Sequence, residues 1–408
     1  MNRVVVGVLA LVLLCALPAA AGDLYGVTAF DIGREYGGFN EHPPGSLVLV
    51  DLAELGTPDD VPGYSFSPGG TTFVSDLFDG SGDPGDAWVQ GLDFDSQGHL
   101  FAAAVECGVS FCDSGSSRLL QVDPATGEPT EIGFITWNGQ HLNILDLAIQ
   151  PETDILFGIS EFDWDDPFIC FACLFTIDTS TGEATLVEQL DLGDNGLPGG
   201  LAFAPDGTLY LTTTIPVGFD IRGPTDLFVL DPATGGIVSR EDILREKQFI
   251  VSNILIGTTH LSGLVVAPDG TLLGTGGDFT GDTLVFARVW GTVKNPDGDE
   301  IPGETWVWQV MGDSGEAIGD LAFQPDLPTP CDADDDADID RADLRIIRES
   351  VGMEVTPPDP RDVDGDGTVT LEDLEFCSDL VCSTRPHRCP PGGPKTLPWG
   401  PSTHQRSR

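Results

Sequence analysis

Residues 200–214 read "GLAFAPDGTLYLTTT". Apolar residues alternate as far as Phe203, Pro205-Asp206-Gly207 turns the chain, and the alternation resumes at Leu209. Period-two alternation on either side of a turn whose glycine accepts positive φ specifies a β-hairpin. The phrase recurs as "GLDFDSQGHLFAAA" from Gly91, "DLAIQPETDILFGIS" from Asp146, "GLVVAPDGTLLGTG" from Gly263 and, cut short, "DLAFQPD" from Asp320. Successive copies start 55, 54, 63 and 57 residues apart.

A second phrase follows three of these hairpins: "LLQVDPATGEPTEIG" from Leu119, "LFTIDTSTGEATLVEQL" from Leu174 and "LFVLDPATGGIVSR" from Leu227. It is strand, Asp-x-x-Thr-Gly turn, strand. Each repeat therefore holds about four strands, and a four-stranded repeat of this length is a β-propeller blade. The last copy stops before its second strand, and the missing pieces stand near the other end, as "DLYGVTAFD" from Asp23 and "SLVLVDLAELG" from Ser46. The expected fold is mainly β: a propeller over residues 23–326, its two ends joined in one shared blade. Five blades are expected, or six if residues 53–90 hide a degenerate one.

These phrases resemble propellers of the NHL, lactonase and Kelch-like kind, a resemblance that implies architecture far more than activity. In gluconolactonase-type propellers a metal is held by Glu, Asn and Asp, commonly with an Asn just ahead of the Gly-Leu strand. The equivalent positions here are Gln90, Leu145, Gly199, Ser262 and Gly319, with no Asn among them. Asp146 and Asp320 replace Gly at the start of two inner strands and are the candidates to face the channel, as solvated acids or as a functional pair. The six histidines show no metal-ligand spacing, and no Gly-x-Ser-x-Gly or Walker sequence occurs. Trp306 and Trp308 share one strand face in "ETWVWQV", suited to packing between blades or to stacking on a sugar.

Eighteen basic residues stand against 66 acidic ones, a formal net charge of −48. Like charge opposes binding to nucleic acid or to an anionic membrane. Residues 1–21 read as a signal peptide, with an apolar run from Val4 to Leu17 and a cut after Ala21. No second long apolar stretch follows, so a secreted or periplasmic protein without a membrane span is expected. Removing Cys15 leaves eight cysteines, Cys107, Cys112, Cys170, Cys173, Cys331, Cys377, Cys382 and Cys389, which export makes disulfide candidates of unknown pairing. The alternative is a four-cysteine zinc site built from the first four.

Past a Pro-rich linker at residues 327–330 the chain changes character: "CDADDDADIDRADL" spans 331–344 and "DVDGDGTVTLEDL" spans 362–374. A twelve-residue calcium loop needs oxygen donors at positions 1, 3 and 5, a carbonyl at 7, a further donor at 9 and a carboxylate at 12. The first loop supplies Asp332, Asp334, Asp336, Asp338, Asp340 and Asp343; the second supplies Asp362, Asp364, Asp366, Thr368, Thr370 and Asp373. Two Ca²⁺ sites are expected. The first is the weaker, because position 6, where the turn wants glycine, is Gly367 in one loop and Ala337 in the other. Ile339 and Val369, at position 8, are placed for a short β-contact between loops.

A carboxylate of Asp type at position 12 and a helix only after each loop resemble a type I dockerin, over residues 331–382. The resemblance implies a small α-helical paired EF-hand module that docks a cohesin, often carrying extracellular polysaccharide-degrading enzymes. It also implies partner recognition at loop positions 10 and 11, here Arg341 and Ala342, then Leu371 and Glu372. Residues 383–408 are basic and rich in Pro and Gly and read as a disordered tail. The sequence reading is an exported calcium-binding protein whose non-catalytic propeller, open to a protein or polysaccharide ligand, is carried by a dockerin-like module. The rival is a propeller enzyme, a lactonase or polysaccharide hydrolase, attached the same way.

Overall fold

A computed structural model describes residues 23–28, 45–55, 70–77, 87–106, 116–160, 170–193, 197–214, 226–242, 249–251, 254–256, 261, 263–277, 283–294, 300–314, 318–325, 327–334, 339–356 and 358–384. The chain divides into two compact units, residues 1–325 and 326–408.

The first unit is a five-bladed propeller. Blade 2 is the four-stranded sheet Ala87–Phe94, Leu100–Glu106, Ser117–Val122 and Pro129–Phe134. Blade 3 is Ile144–Gln150, Ile155–Ser160, Cys173–Ile177 and Ala184–Gln189. Blade 4 is Leu197–Phe203, Leu209–Thr214, Asp226–Leu230 and Ile237–Asp242. Blade 5 runs from Gly263–Val266 through Leu272–Gly277 to a long hairpin, Thr283–Lys294 with Glu300–Asp313, whose flank adds two short strands from residues 249–256.

Blade 1 is the shared one. Leu24–Thr28 lies antiparallel between Ile318–Phe323 and Ser46–Val50, with Tyr25 opposite Ala322 on one side and Leu49 on the other. Thr71–Asp76 completes this sheet. The described part of residues 53–90 thus supplies the outer strand of blade 1 and the start of blade 2, not a sixth blade.

Each interface between neighbouring blades is filled by one apolar cluster. Val27 and Leu47 of blade 1 meet Leu92 and Leu100 of blade 2. Phe157 and Leu174 of blade 3 meet Leu201 and Phe228 of blade 4. Blade 5 returns to blade 1 through Leu273 and Val285 against Val48 and Leu321. Burying each such side chain contributes about 1.5–3 kcal/mol, so the alternation read from sequence is what holds the ring. Trp308 packs between blades 4 and 5 and is 1% exposed, the packing role among the two readings.

The second unit holds the only two helices among the described residues, α1 (Arg341–Ser350) and α2 (Leu371–Thr384). Its core is small: Ile347, Val369 and a Cys331–Cys377 disulfide, with Leu344, Leu374 and Phe376 around them. A core of this size benefits from a covalent tie. Cys170 and Cys173 also join each other, in blade 3, so they are not ligands of a shared zinc site. Cys107, Cys112 and Cys389 lie outside the described residues, as does the side chain of Cys382.

Candidate functional site

Two places crowd carboxylates together. The first is the propeller axis, where the innermost strands start with Gly91, Asp146, Gly200, Gly263 and Asp320. Glycine at three of these positions is a packing requirement. A Cβ on Gly91 would lie 2.7 Å from Asp146 Cα, one on Gly200 2.6 Å from Leu264 N, and one on Gly263 2.6 Å from Asp320 Cα. With the main chains drawn in this far, the two aspartates are left 1% exposed each.

Both are put to use as clasps between blades. Asp146 accepts from the Leu201 amide of blade 4 at 2.6 Å and from its neighbour Leu147 at 2.7 Å. Asp320 accepts from the Leu92 amide of blade 2 at 2.8 Å, while its Oδ1 has no donor. Asp93 makes the third clasp, accepting from Ile149 of blade 3 at 2.6 Å and from Phe94 at 2.8 Å. Blades 4 and 5 solve the same problem without carboxylates, since Thr212 and Thr275 accept the Gly200 and Gly263 amides.

Burial dominates the acidity of all three. It pushes Asp320 up to about 8 and Asp93 up to about 7, against the amide hydrogen bonds that favour the charged form. Asp146 is raised well above the usual carboxylate range, by burial first and then by the Asp320 charge beside it.

The second crowd is the pair of acidic loops in the C-terminal unit. Carboxylate oxygens of Asp332, Asp334 and Asp343 lie within 4.8 Å of one another, as do those of Asp362, Asp364 and Asp373. The two loops share one hydrogen-bond scheme. Asp343 accepts from the amides of Ala333, Asp334 and Asp340, at 2.8, 3.2 and 2.6 Å. Asp373 accepts from those of Val363, Asp364 and Thr370, at 2.8, 3.4 and 2.7 Å. Burial opposes ionisation of Asp373, but the hydrogen bonds from Thr370, Val363 and Asp364 outweigh it and hold its carboxyl below the usual range. Asp364 is raised, by desolvation and then by its acidic neighbours Asp373 and Asp366. Gly367 takes φ +85° and donates its amide to Asp362 Oδ2 at 2.8 Å; Asp362 Oδ1 is buried and has no donor. Three hard oxygen donors converge in each loop, a set suited to a cation of the Ca²⁺ type.

No protein-family model matches the chain. No curated protein matches it either. Among solved structures, a protein of unknown function from Bacteroides caccae aligns at 11% identity over 74% of this chain and 98% of that one, with a TM-score of 0.37. A gluconolactonase from Xanthomonas campestris aligns at 18% identity over 71% and 89%, TM-score 0.34. A glycosyl hydrolase from Bacteroides ovatus aligns at 12% identity over 69% and 87%, TM-score 0.38. At TM-scores below 0.5, none of these transfers an activity or a substrate to this chain.

The remaining residues singled out by the calcium-loop spacing fall as follows. Asp336 and Asp338, like Ala337, lie outside the described residues. Asp340 and Thr370, at position 9, cap the two helices: Asp340 accepts from the Ala342 amide at 2.6 Å and Thr370 Oγ1 from the Glu372 amide at 3.1 Å. Asp366 accepts from the Thr368 amide at 2.8 Å. Val369 does not use its backbone on the other loop; it exchanges hydrogen bonds with Gly352 and Met353, because the chain leaving α1 turns back at Gly352, φ +87°. Arg341 and Leu371 open the two helices on the surface, with Leu371 68% exposed, and Glu372 is exposed beside it while Ala342 is half-buried. No helix among the described residues is long and apolar enough to cross a membrane. The signal-peptide segment lies outside the described residues.

The sequence reading missed Asp93. Its signal was available, since the same column of the repeat carries Ala148, Ala202, Val265 and Ala322.

Proposed function

We propose that the chain is an exported Ca²⁺-binding protein. Its propeller acts as a non-catalytic binding or scaffold module, and its paired-loop unit is a dockerin-like module that docks a cohesin-like or other cell-surface protein. The observation that carries this reading is the repeated loop: two acidic triads with the same three-amide scheme, one of them holding a buried carboxylate oxygen without a donor. Ca²⁺ would be held by Asp332, Asp334 and Asp343 in one loop and by Asp362, Asp364 and Asp373 in the other. Arg341, Ala342, Leu371 and Glu372 would face the partner. The non-catalytic reading of the propeller is supported by its axis, where Asp146 and Asp320 are buried and occupied by backbone amides.

The test is a calorimetric titration of Ca²⁺ into the chelator-stripped full chain, with Asp332→Ala and Asp362→Ala alongside. Two binding events are expected, the first-loop event weaker, with one lost in each variant. Absence of saturable binding would sink the proposal.

A propeller enzyme, a lactonase or polysaccharide hydrolase, is the second reading. Asp93 favours it, as a partly exposed carboxyl raised to about 7, the range of a general acid or base. Turnover of a lactone or polysaccharide that disappears in a folded Asp93→Asn variant would establish it.

A further inference from the structure

The hydrogen-bond inventory at the propeller axis does not balance. Asp146 and Asp320 belong to blades 3 and 1, which are not neighbours, yet their carboxyl groups are in hydrogen-bonding contact across the axis. Both Asp146 oxygens already accept a backbone amide, Oδ1 from Leu147 and Oδ2 from Leu201. On Asp320, Oδ2 accepts the Leu92 amide and Oδ1 accepts nothing. Two carboxylates in contact have no donor between them. The charged group that faces them from blade 2 is Asp93, a third acid. No basic side chain is among the causes that shift either group. A buried contact of this kind requires a positive species, and one vacant oxygen is too few for a six- to eight-coordinate metal.

We propose that Asp146 and Asp320 share a single proton, carried on Asp320 Oδ1 and donated to Asp146, so that the propeller axis is locked by a carboxyl–carboxylate pair. The lock joins the clasp between blades 1 and 2 to the clasp between blades 3 and 4. Removing the proton places two negative charges in contact where water is excluded, and the ring loosens.

The sign of the pH dependence follows from burial. Both carboxyl groups titrate above their unfolded value, so the folded chain holds more protons than the unfolded chain between the ordinary aspartate range and about 8. The lock's contribution is complete below that window and declines as pH rises through it. Asp93, raised in the same direction, adds to the slope and must be separated from it.

Asp320→Asn separates the two. An asparagine there presents its oxygen to the Leu92 amide and its NH2 to Asp146, reproducing the pattern with nothing to ionise. Thermal and denaturant unfolding of the oxidised full chain, Ca²⁺ in excess, would be followed from pH 5 to 9 for both proteins. The wild-type unfolding equilibrium is expected to shift against the variant by roughly tenfold per pH unit, about 1.4 kcal/mol, as pH rises through the window. A difference independent of pH would overturn the proposal. Infrared spectroscopy of the wild type supplies the direct readout, which stands even if the variant does not fold: the C=O stretch of a neutral carboxyl group is expected to persist at pH 7. A spectrum with carboxylate bands alone would overturn it equally.

Discussion

Aspartates are crowded at the propeller axis and again in the C-terminal loops, and the two crowds are resolved in opposite ways. At the axis the main chains close in first, because Gly91, Gly200 and Gly263 leave no room for a side chain. The acids there are dry and are neutralised from within, by amides of the next blade and by a proton. In the loops the backbone winds around the acids. Asp364 stays exposed, and the amides are spent on the position-12 carboxylate, leaving the others turned toward a common point. What separates the two is the path of the backbone around the residues, since the residue type is the same.

The largest effect is expected where the loop unit depends on its tie. Cys331→Ser opens a closure spanning 46 residues and should cost that unit about 4 kcal/mol, read as a lowered calorimetric transition with the propeller transition unmoved. If both transitions fall together, the units are not independent and the comparison fails.

Gly91→Ala should cost the propeller about 3 kcal/mol, because its Cβ would lie 2.5 Å from the backbone nitrogen of Leu147, which cannot yield cheaply. Denaturant unfolding followed by tryptophan fluorescence measures it.

Asp146→Asn should cost about 2 kcal/mol, since both oxygens accept amides and an NH2 group must oppose one of them. Asp320→Asn, with its single accepted amide, should cost distinctly less. Equal losses at the two positions would show that the hydrogen-bond inventory does not govern the axis.

The smallest effect belongs to Asp93→Asn. With the folded value raised to about 7, the wild type should lose stability from about pH 4 to 7, and the variant should be flatter by at most about 1.4 kcal/mol per pH unit. A steeper slope in the variant would contradict the burial that raises this group.

Much of the propeller was legible because one hairpin phrase recurs and its last copy is incomplete, which points straight to the shared blade. The axis was half legible. Asp146 and Asp320 stood out against Gly in the same column, but pattern alone put them in solvated channel water. How far three glycines let five main chains converge is a matter of distance, which no alternation encodes. Asp93 was passed over because its neighbours in sequence, Leu92 and Phe94, made the strand read as an ordinary alternating one. In the loops, spacing identified the convergent acids at positions 1, 3 and 12. It could not tell a ligand at position 9 from a helix cap, because Asp and Thr oxygens serve both purposes. The Cys331–Cys377 pairing was beyond reach, since pairing depends on where Cα atoms end up, here 5.4 Å apart.

The shared blade also governs when the fold can be finished. Leu24–Thr28 is threaded between Ser46–Val50 and Ile318–Phe323, so one of its two edges stays open until a partner nearly three hundred residues downstream has been made. Four sheets can assemble from contiguous chain in order of their emergence, but the ring cannot shut before the last strand arrives, and the entropy of that long closure falls due in one step. During synthesis the first-made strand is therefore an adhesive edge, and its protection until the end is a task for whatever handles the nascent chain.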